Sequence, residues 1–312
     1  MIHQIKFKAM GSQMMAALES TLEQVEVILP QIPLWFEDWE QSLSRFRPDS
    51  ELSKLNRSHG KMIRVSETFW DVLNLSLQVE RTSQGLVTPA VLNALEAAGY
   101  SKDFDLIGSG GFQANQEFTS KTGLEDLIMI EEEKLVLLPV GLRLDFGGVA
   151  KGWAAQQVMD RLLGYGPSLM NAGGDIMTSS ALLDGSPWPV AIADPFQPED
   201  DLEMLNLAGE GVATSGQDYR FWDLNGTRMH HIIDIRTGRP AESDVFAVTV
   251  IAPSVIEAEM AAKVVLILGS EVGLSWLEDQ QDHAGYIIRM DNSKLISKHL
   301  STYLWSKTCQ NQ

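Results

Sequence analysis

The chain has 312 residues, 44% of them hydrophobic and 21% charged, so it can bury a core as one large domain or two modest ones. Its 42 acidic residues outnumber 24 basic ones, and the formal net charge is −18. Such a surface repels nucleic-acid phosphates and anionic lipid headgroups, which argues against non-specific nucleic-acid binding. A phosphate-bearing ligand would have to be held by a local arrangement of residues.

The cysteine count and the N-terminal pattern bear on the compartment. A single cysteine, Cys309, excludes an internal disulfide and any cysteine-based zinc cluster. The first residues alternate in polarity and do not form a signal peptide, and the longest wholly apolar run, residues 264–268, is far shorter than the ~20 residues that span a bilayer. We therefore expect a cytoplasmic protein without membrane insertion and without a nucleic-acid partner.

The first half of the chain is predicted to pass from strand to helix to loop. After an N-terminal strand, apolar residues at helical spacing predict a helix over residues 17–40, interrupted by two prolines. Ser50 is expected to cap a short helix, and Ser66 to begin a longer amphipathic helix that stops at Gly85. Residues 100–122, rich in Gly, Ser and Asn, are predicted to form a variable loop.

The second half is predicted to be mainly strands, with helices at residues 149–163 and 256–268 that end at Gly164 and Gly269. Strands and helices mix without strict alternation, which favours an α+β fold over a doubly wound sheet. We treat residues 1–312 as one domain. The predicted strands lie at residues 127–130, 134–138, 142–145, 168–171, 189–192, 211–214, 230–233 and 246–251.

A glycine pair followed by a helix is the most informative segment. Gly147 and Gly148 let the backbone approach a ligand closely, and the helix start offers unpaired N–H groups with a partial positive charge. Lys151 lies in the first turn, where a cation opposes the helix dipole unless an anion is bound nearby. The pattern is compatible with an anion site, and also with a tight turn that carries a solvated lysine.

Two later segments place polar residues at strand ends. The Gly-Gly-Asp of residues 173–175 is either a plain turn or a backbone that passes under a planar or phosphate-bearing ligand. His230 and His231 would point to opposite faces of a strand, so at most one of them faces a given site, and Asp234 follows three residues later. A histidine near a carboxylate is typical of a general base, although a structural or surface role fits as well.

Several common enzyme motifs are missing from the sequence. It contains no Gly-x-Ser-x-Gly, no P-loop and no Gly-x-Gly-x-x-Gly, which argues against a serine hydrolase, a P-loop NTPase and a Rossmann dehydrogenase. The motifs that are present, in chain order, are Met10-Gly11-Ser12, residues 44–56 (beginning Ser-Arg-Phe), 147–152 (Gly-Gly-Val-Ala-Lys-Gly), 171–175 (Asn-Ala-Gly-Gly-Asp), 188–195, 213–216 (Ala-Thr-Ser-Gly) and 231–240 (His-Ile-Ile-Asp to Thr-Gly-Arg-Pro).

This ordered series resembles the ApbE family of FAD:protein FMN transferases over roughly residues 5–290. The resemblance implies an α+β, T-fold-like architecture of mixed or antiparallel sheets flanked by helices, with FAD between two related, intertwined halves. It also implies a reaction in which the FAD pyrophosphate is split, FMN passes to a threonine hydroxyl of an acceptor protein, and AMP leaves. Such a transfer needs the pyrophosphate charge neutralised and the hydroxyl deprotonated.

The resemblance also assigns roles to residues of this chain. Lys151 is suited to neutralising the pyrophosphate charge and His231 to deprotonating the threonine hydroxyl, with Asp234 as a residue that orients the imidazole. The positions that match the family's nucleotide site are Met10, Gly147, Gly148, Lys151, Gly173, Gly174, Asp175, Thr214 and Ser215.

The metal positions depart from the family. It holds Mg²⁺ with an Asp and a Thr four residues apart and with the carbonyl of the residue matching Ala150, but here the two side chains are Glu259 and Lys263. A lysine ammonium cannot be a metal ligand. The two residues are either an ordinary i,i+4 surface pair, or Lys263 places its own charge where the metal would lie. Thr88 and Gln156 also stand where the family has Asp, so we expect altered or absent Mg²⁺ binding.

The prediction is therefore an FAD:protein FMN transferase with an atypical metal site. The substitutions at Thr88 and Lys263 leave two alternatives, a non-catalytic FAD-binding protein and an FAD pyrophosphatase that releases free FMN and AMP. Product analysis separates them, because only transfer leaves flavin on a protein.

Overall fold

The computed structural model describes residues 1–102, 124–197, 199–218, 220–224 and 226–305. Most of the predicted variable loop at residues 100–122 therefore lies outside the described residues. The described helices are α1 (Val25–Ile28), α2 (Ile32–Leu43), α3 (Glu51–Asn56), α4 (Glu67–Thr82), α5 (Leu92–Ala97), α6 (Ala150–Leu162), α7 (Val255–Leu268) and α8 (Ser270–Glu278), with 3-10 helices at Leu29–Gln31 and Lys298–Thr302.

The strands are short and pair in antiparallel fashion. They are β1 (Ile2–Ala9), β2 (Ser12–Glu19), β3 (Met62–Arg64), β4 (Ile128–Ile130), β5 (Leu135–Leu137), β6 (Ser168–Ala172), β7 (Asp175–Thr178), β8 (Trp188–Ala193), β9 (Asp201–Leu207), β10 (Gly211–Gly216), β11 (Phe221–Leu224), β12 (Thr227–His230), β13 (Ile233–Asp234), β14 (Arg239–Pro240), β15 (Val245–Ala252), β16 (Ala284–Arg289) and β17 (Lys294–Ile296).

Eight of these strands form the central sheet, in the order β1-β2-β6-β7-β10-β15-β16-β17. Helices α2 and α6 pack against one face of its first half, and α7 packs against the second half. The β8–β9 hairpin covers the opposite face. Antiparallel sheets flanked by helices confirm the predicted α+β class.

Strand β15, inside the central sheet, is buried on both faces. Its alternate residues Val248 and Val250 pack against α7, whereas Ala247 and Ile251 pack against the β8–β9 hairpin. All eight of its residues are buried. The segment is therefore apolar except for one threonine, and does not alternate between polar and apolar residues.

Helix boundaries follow the predicted capping residues closely. The Ser50 hydroxyl accepts a hydrogen bond from the Ser53 amide at 3.0 Å, and the Ser66 hydroxyl accepts one from the Phe69 amide at 3.2 Å. Gly269 ends α7 with φ of 86°, a conformation that favours glycine. None of the helices in the described ranges is both long and apolar enough to cross a bilayer.

Two predicted elements in the first half of the chain are wrong. Residues 17–19, the start of the helix predicted over residues 17–40, instead form the end of strand β2, because β2 pairs with both β1 and β6. Residues 142–145 are not a strand. The Leu144 amide donates to Asn56 Oδ1 at 2.8 Å, and the Asp145 amide donates to the Pro89 carbonyl at 2.8 Å. The polar groups of this segment are therefore satisfied by a side chain and a loop.

Candidate active site

A cavity of about 720 Å³ opens where two neighbouring strands of the central sheet separate. Strands β7 and β10 pair only through Ile176–Val212 and Met177–Gly211. Beyond Val212, β10 continues along the cavity without that neighbour. A volume of this size lies in the range of about 300–1,000 Å³ that is common for small-molecule and cofactor sites.

The cavity is lined by all of the predicted catalytic, nucleotide-binding and metal-position residues except Asp234. The predicted residues that line it are Met10, Gly147, Gly148, Ala150, Lys151, Gly173, Gly174, Asp175, Thr214, Ser215, His231, Glu259 and Lys263.

Two hairpin turns form one wall of the cavity. The pairing of Met14 with Ala172 brings the β1–β2 turn beside the β6–β7 turn. Gly173 has φ of +73°, and a Cβ atom placed on it would lie 2.6 Å from the Cβ of Ser12. Glycine is thus required for the two turns to approach this closely. At the first turn, the Met10 amide donates to Glu40 Oε1 at 2.8 Å.

The start of α6 offers fewer free amides than the glycine pair suggested. The Gly147 amide donates to Asp145 Oδ1 at 2.7 Å, and the Val149 and Ala150 amides donate to the Phe146 carbonyl. These three donors already have partners within the chain. Cationic side chains, more than these backbone amides, are therefore the groups available to an anion in this part of the cavity.

Lys151 is a buried cation held between two carboxylates. Its ammonium forms an ion pair with Asp175 and lies 3.8 Å from Glu259 Oε1, and its side chain is only 15% exposed. The alternative of a solvated lysine is therefore wrong. Burial lowers the Lys151 pKa to about 8, although the Glu259 carboxylate acts to raise it.

Glu259 and Lys263 project from α7 into the same region. Lys263 Nζ lies 2.9 Å from Glu259 Oε1, and the two side chains are 15% and 4% exposed, respectively. The alternative of an ordinary surface pair is therefore wrong as well. Helix α6 can lie close to the Glu259 side chain because residue 152 is glycine. A Cβ built on Gly152 would be only 2.9 Å from Glu259 Oε2. That oxygen is buried without a hydrogen-bond partner.

These groups do not fit a bound Mg²⁺ ion. Mg²⁺ requires near-octahedral oxygen ligands, but the Lys263 ammonium lies on Glu259 Oε1 and the Lys151 ammonium on the Asp175 carboxylate. The described ranges contain no cluster of three or more His, Cys, Asp or Glu side chains that could hold a metal. We therefore derive no chemical step through a metal ion.

His231 lies in a break between β12 and β13, so the predicted strand over residues 230–233 is wrong. Because of this break, His230 and His231 lie in different surroundings. His230 is buried, with Nε2 2.9 Å from the Ala241 carbonyl, whereas His231 lines the cavity. Burial, followed by the nearby Arg220 and Lys263 charges, holds the pKa of His231 well below its ordinary value. The imidazole is therefore neutral and able to accept a proton.

Asp234 does not support His231 as predicted. Its carboxylate accepts hydrogen bonds from the Arg236 amide and Nε at 2.9 Å and from Arg236 Nη2 at 2.8 Å. These bonds tie it to the turn after β13. The geometry favours a structural role for this carboxylate.

Arg220 and Thr249 are among the cavity residues that sequence reasoning missed. Arg220 Nη2 donates to Ser12 Oγ at 3.1 Å and to the Gly11 carbonyl at 3.3 Å. Thr249 stands opposite Thr214 in the β10–β15 register, with 2.8 Å between the two hydroxyl oxygens. No local pattern marks either residue, because their partners are far away along the chain.

Three cations converge at one end of the cavity. The charges of Lys263 and Arg220 act on both Lys151 and His231, lowering the pKa of each. Two carboxylates, Asp175 and Glu259, lie among them. Unlike the acidic protein as a whole, this end of the cavity therefore presents cationic side chains that can attract an anion.

Comparison with known proteins places the chain in a family. Residues 10–288 match the model of the ApbE family. The FAD:protein FMN transferase of Escherichia coli K12 is 30% identical over 240 residues, covering 74% of this chain and 68% of the relative. The Haemophilus influenzae protein of the same name is 26% identical over 311 residues, covering 96% and 87%.

Solved structures agree in fold. The ApbE protein of Thermotoga maritima superimposes with a TM-score of 0.85 at 21% identity, covering 98% of this chain and all of that one. The flavin transferase ApbE of Vibrio cholerae gives a TM-score of 0.77 at 24% identity, covering 97% and 100%. The family model spans most of the sequence, and the described fold agrees with it throughout. This chain belongs to the ApbE family.

Proposed function

We propose that this protein is an FAD:protein FMN transferase that moves FMN from FAD to a threonine hydroxyl of an acceptor protein and releases AMP. One observation carries the proposal. A single cavity brings three cationic side chains to the same end as a neutral histidine. The reaction needs both, a cationic surface for a pyrophosphate and a base for a hydroxyl. The names of the curated relatives support the same assignment.

The cations would act on the pyrophosphate. Lys151, Lys263 and Arg220 line the same end of the cavity, where negative charge develops on the leaving AMP phosphate as its bond to the FMN phosphorus breaks. Fixed cations in a partly dry site stabilise that charge without reorganising. Met10, Thr214 and Ser215 line the same cavity and would contact the nucleotide.

His231 would act on the acceptor. Its low pKa keeps the imidazole neutral, so it can take the proton of the threonine hydroxyl as the oxygen bonds to the FMN phosphorus. AMP leaves with the electron pair of the broken P–O bond. The approach of an anionic pyrophosphate raises the His231 pKa toward the working pH, which strengthens the base when the substrate is bound.

Transfer is tested with purified protein, FAD and an acceptor protein that the Escherichia coli relative flavinylates. We expect acceptor that fluoresces in a denaturing gel, gains the mass of one FMN group, and forms in step with AMP. His231→Gln should lower the rate by about 10²–10⁴-fold, the usual contribution of a general base. His299→Gln is the matched control, because His299 is exposed and does not line the cavity.

The products decide against the alternatives. Free FMN and AMP without labelled acceptor would identify a pyrophosphatase. FAD binding without either product, with any divalent cation, would identify a non-catalytic binder and overturn the proposal.

A further inference from the structure

We infer that the Lys263 ammonium supplies the cation that a divalent metal would otherwise bring to the pyrophosphate, so that FAD binding and transfer do not depend on an added metal. This inference rests on the proposed function. It concerns one group on α7 and can fail while the transferase activity stands.

The first support is the position of the ammonium. Lys263 Nζ lies 2.9 Å from Glu259 Oε1 and 3.5 Å from the Glu259 backbone carbonyl, and the residue lines the cavity. A charge fixed by two oxygens on one side, and open to the cavity on the other, is oriented toward a ligand in the cavity. Its side chain is 15% exposed, so solvent screens it less than it would screen a surface lysine.

The second support is the packing that holds this lysine in place. A Cβ built on Gly148 would lie 3.4 Å from Lys263 Cε and 4.0 Å from Nζ. The glycine before α6 therefore leaves room for the lysine stem, and the ammonium is brought to the start of the helix. The Gly-Gly segment thus admits a cation from α7, in addition to allowing a ligand to approach.

The third support is the state of the two carboxylates. Each is already bound to an ammonium, Glu259 to Lys263 and Asp175 to Lys151. A divalent cation entering here would have to displace or repel both ammonium groups. Glu259 Oε2 is buried beside Gly152 without a hydrogen-bond partner. It is a single oxygen, whereas Mg²⁺ needs several oxygen ligands.

The test compares FAD affinity and FMN transfer in EDTA and in Mg²⁺, using the full chain. For the natural protein we expect the FAD dissociation constant, measured by flavin fluorescence, and the transfer rate to be the same in both buffers. Calorimetric titration of Mg²⁺ into the FAD-bound protein should give no saturable heat. Lys263→Met should weaken FAD binding by about 10- to 100-fold, as expected for loss of one charged contact.

Two further double variants separate the effect of the Lys263 ammonium itself from the effect of the net local charge and from that of a bound metal. Glu259→Gln with Lys263→Met removes one charge of each sign, so FAD binding should stay weak if the ammonium itself matters and recover if only the net charge does. Lys263→Thr with Glu259→Asp should bind Mg²⁺ and bind FAD more tightly in Mg²⁺ than in EDTA. Lys298→Met is the control, because Lys298 forms an exposed ion pair with Glu278.

The results separate the two claims. Transfer by the natural protein only in Mg²⁺, or saturable Mg²⁺ binding to it, would overturn this inference and leave the proposed function intact. Recovery of FAD affinity in the Glu259→Gln/Lys263→Met variant would also overturn it. Metal-independent FAD binding that depends on Lys263, but without transfer under any condition, would overturn the proposed function. Absence of FAD binding would overturn both.

Discussion

Replacing Gly173 by alanine tests how the two hairpin turns build the cavity wall. The new Cβ would lie 2.6 Å from Ser12 Cβ and 2.8 Å from Ser12 Oγ, at a backbone φ of +73°. Contacts this short are relieved only if the β1–β2 turn moves. The movement would also disturb the hydrogen bond from Arg220 to Ser12, which holds one of the cavity's cations.

The cost has two separable parts. The left-handed backbone costs a non-glycine residue about 1–2 kcal/mol, and overpacking against Ser12 adds about 1–3 kcal/mol. We therefore expect Gly173→Ala to lower the free energy of unfolding by about 2–5 kcal/mol. At Gly174, where φ is +101° and nothing lies within 4 Å of the built Cβ, alanine brings backbone strain of about 1–3 kcal/mol without the clash.

A double-mutant cycle with Ser12→Gly isolates the clash. Because glycine at position 12 removes both atoms that the new Cβ meets, the cycle with Gly173→Ala should give a favourable coupling energy of about 1–3 kcal/mol. The cycle with Gly174→Ala should give a coupling within about 0.5 kcal/mol of zero. Urea unfolding, followed by circular dichroism and tryptophan fluorescence, measures all the variants. Equal couplings in the two cycles would refute the close approach of the turns.

Two further predictions concern buried charge. Arg45 and Asp145 form an ion pair at 2.6 Å, with side chains 6% and 12% exposed, so Arg45→Met should lower the free energy of unfolding by about 3–5 kcal/mol. Adding Asp145→Asn should recover part of that loss. A loss below about 1 kcal/mol, as for an exposed ion pair, would contradict the burial. His231 stays neutral when folded, so as the pH falls below about 6.5 the unfolded chain binds a proton that the native protein does not. The native protein should then lose up to about 1.4 kcal/mol of stability per pH unit relative to His231→Gln, and parallel pH profiles for the two proteins would contradict this.

Local signals predicted the helices well. Ser66 and Gly269 mark helix ends through local structure. The Ser66 hydroxyl accepts a hydrogen bond from the Phe69 amide, and Gly269 adopts a positive φ. The strands at β6, β10 and β15 also lie close to their predicted positions, and in β15 burial on both faces leaves a run of apolar residues interrupted by one threonine.

The failures come from long-range pairing. Residues 17–19 fit the start of the predicted helix, and only the pairing of β2 with β1 and β6 decides for a strand. Asp234 has the right spacing from His231 to support it, yet Arg236 binds the carboxylate instead. Arg220 contacts Gly11 and Ser12 in the cavity wall, which lie 209 and 208 residues earlier in the chain.

The candidate site was largely predictable because glycine pairs and strand ends mark it locally. What the sequence left open was whether its charged residues were exposed or buried. Lys151, Glu259 and Lys263 can each be interpreted as solvated surface residues until α6 and α7 are packed together. Gly152 makes that packing possible, and its importance becomes visible only in three dimensions.

The most direct measurement is calorimetric titration of the purified protein with FAD, riboflavin and AMP in separate runs. Because the three cations converge on one end of the cavity, we predict saturable binding of one FAD per chain, tighter than binding of riboflavin, which has no phosphate, or of AMP, which has no flavin. Binding of riboflavin as tight as that of FAD, or no heat with FAD, would contradict a pyrophosphate site at Lys151 and Lys263.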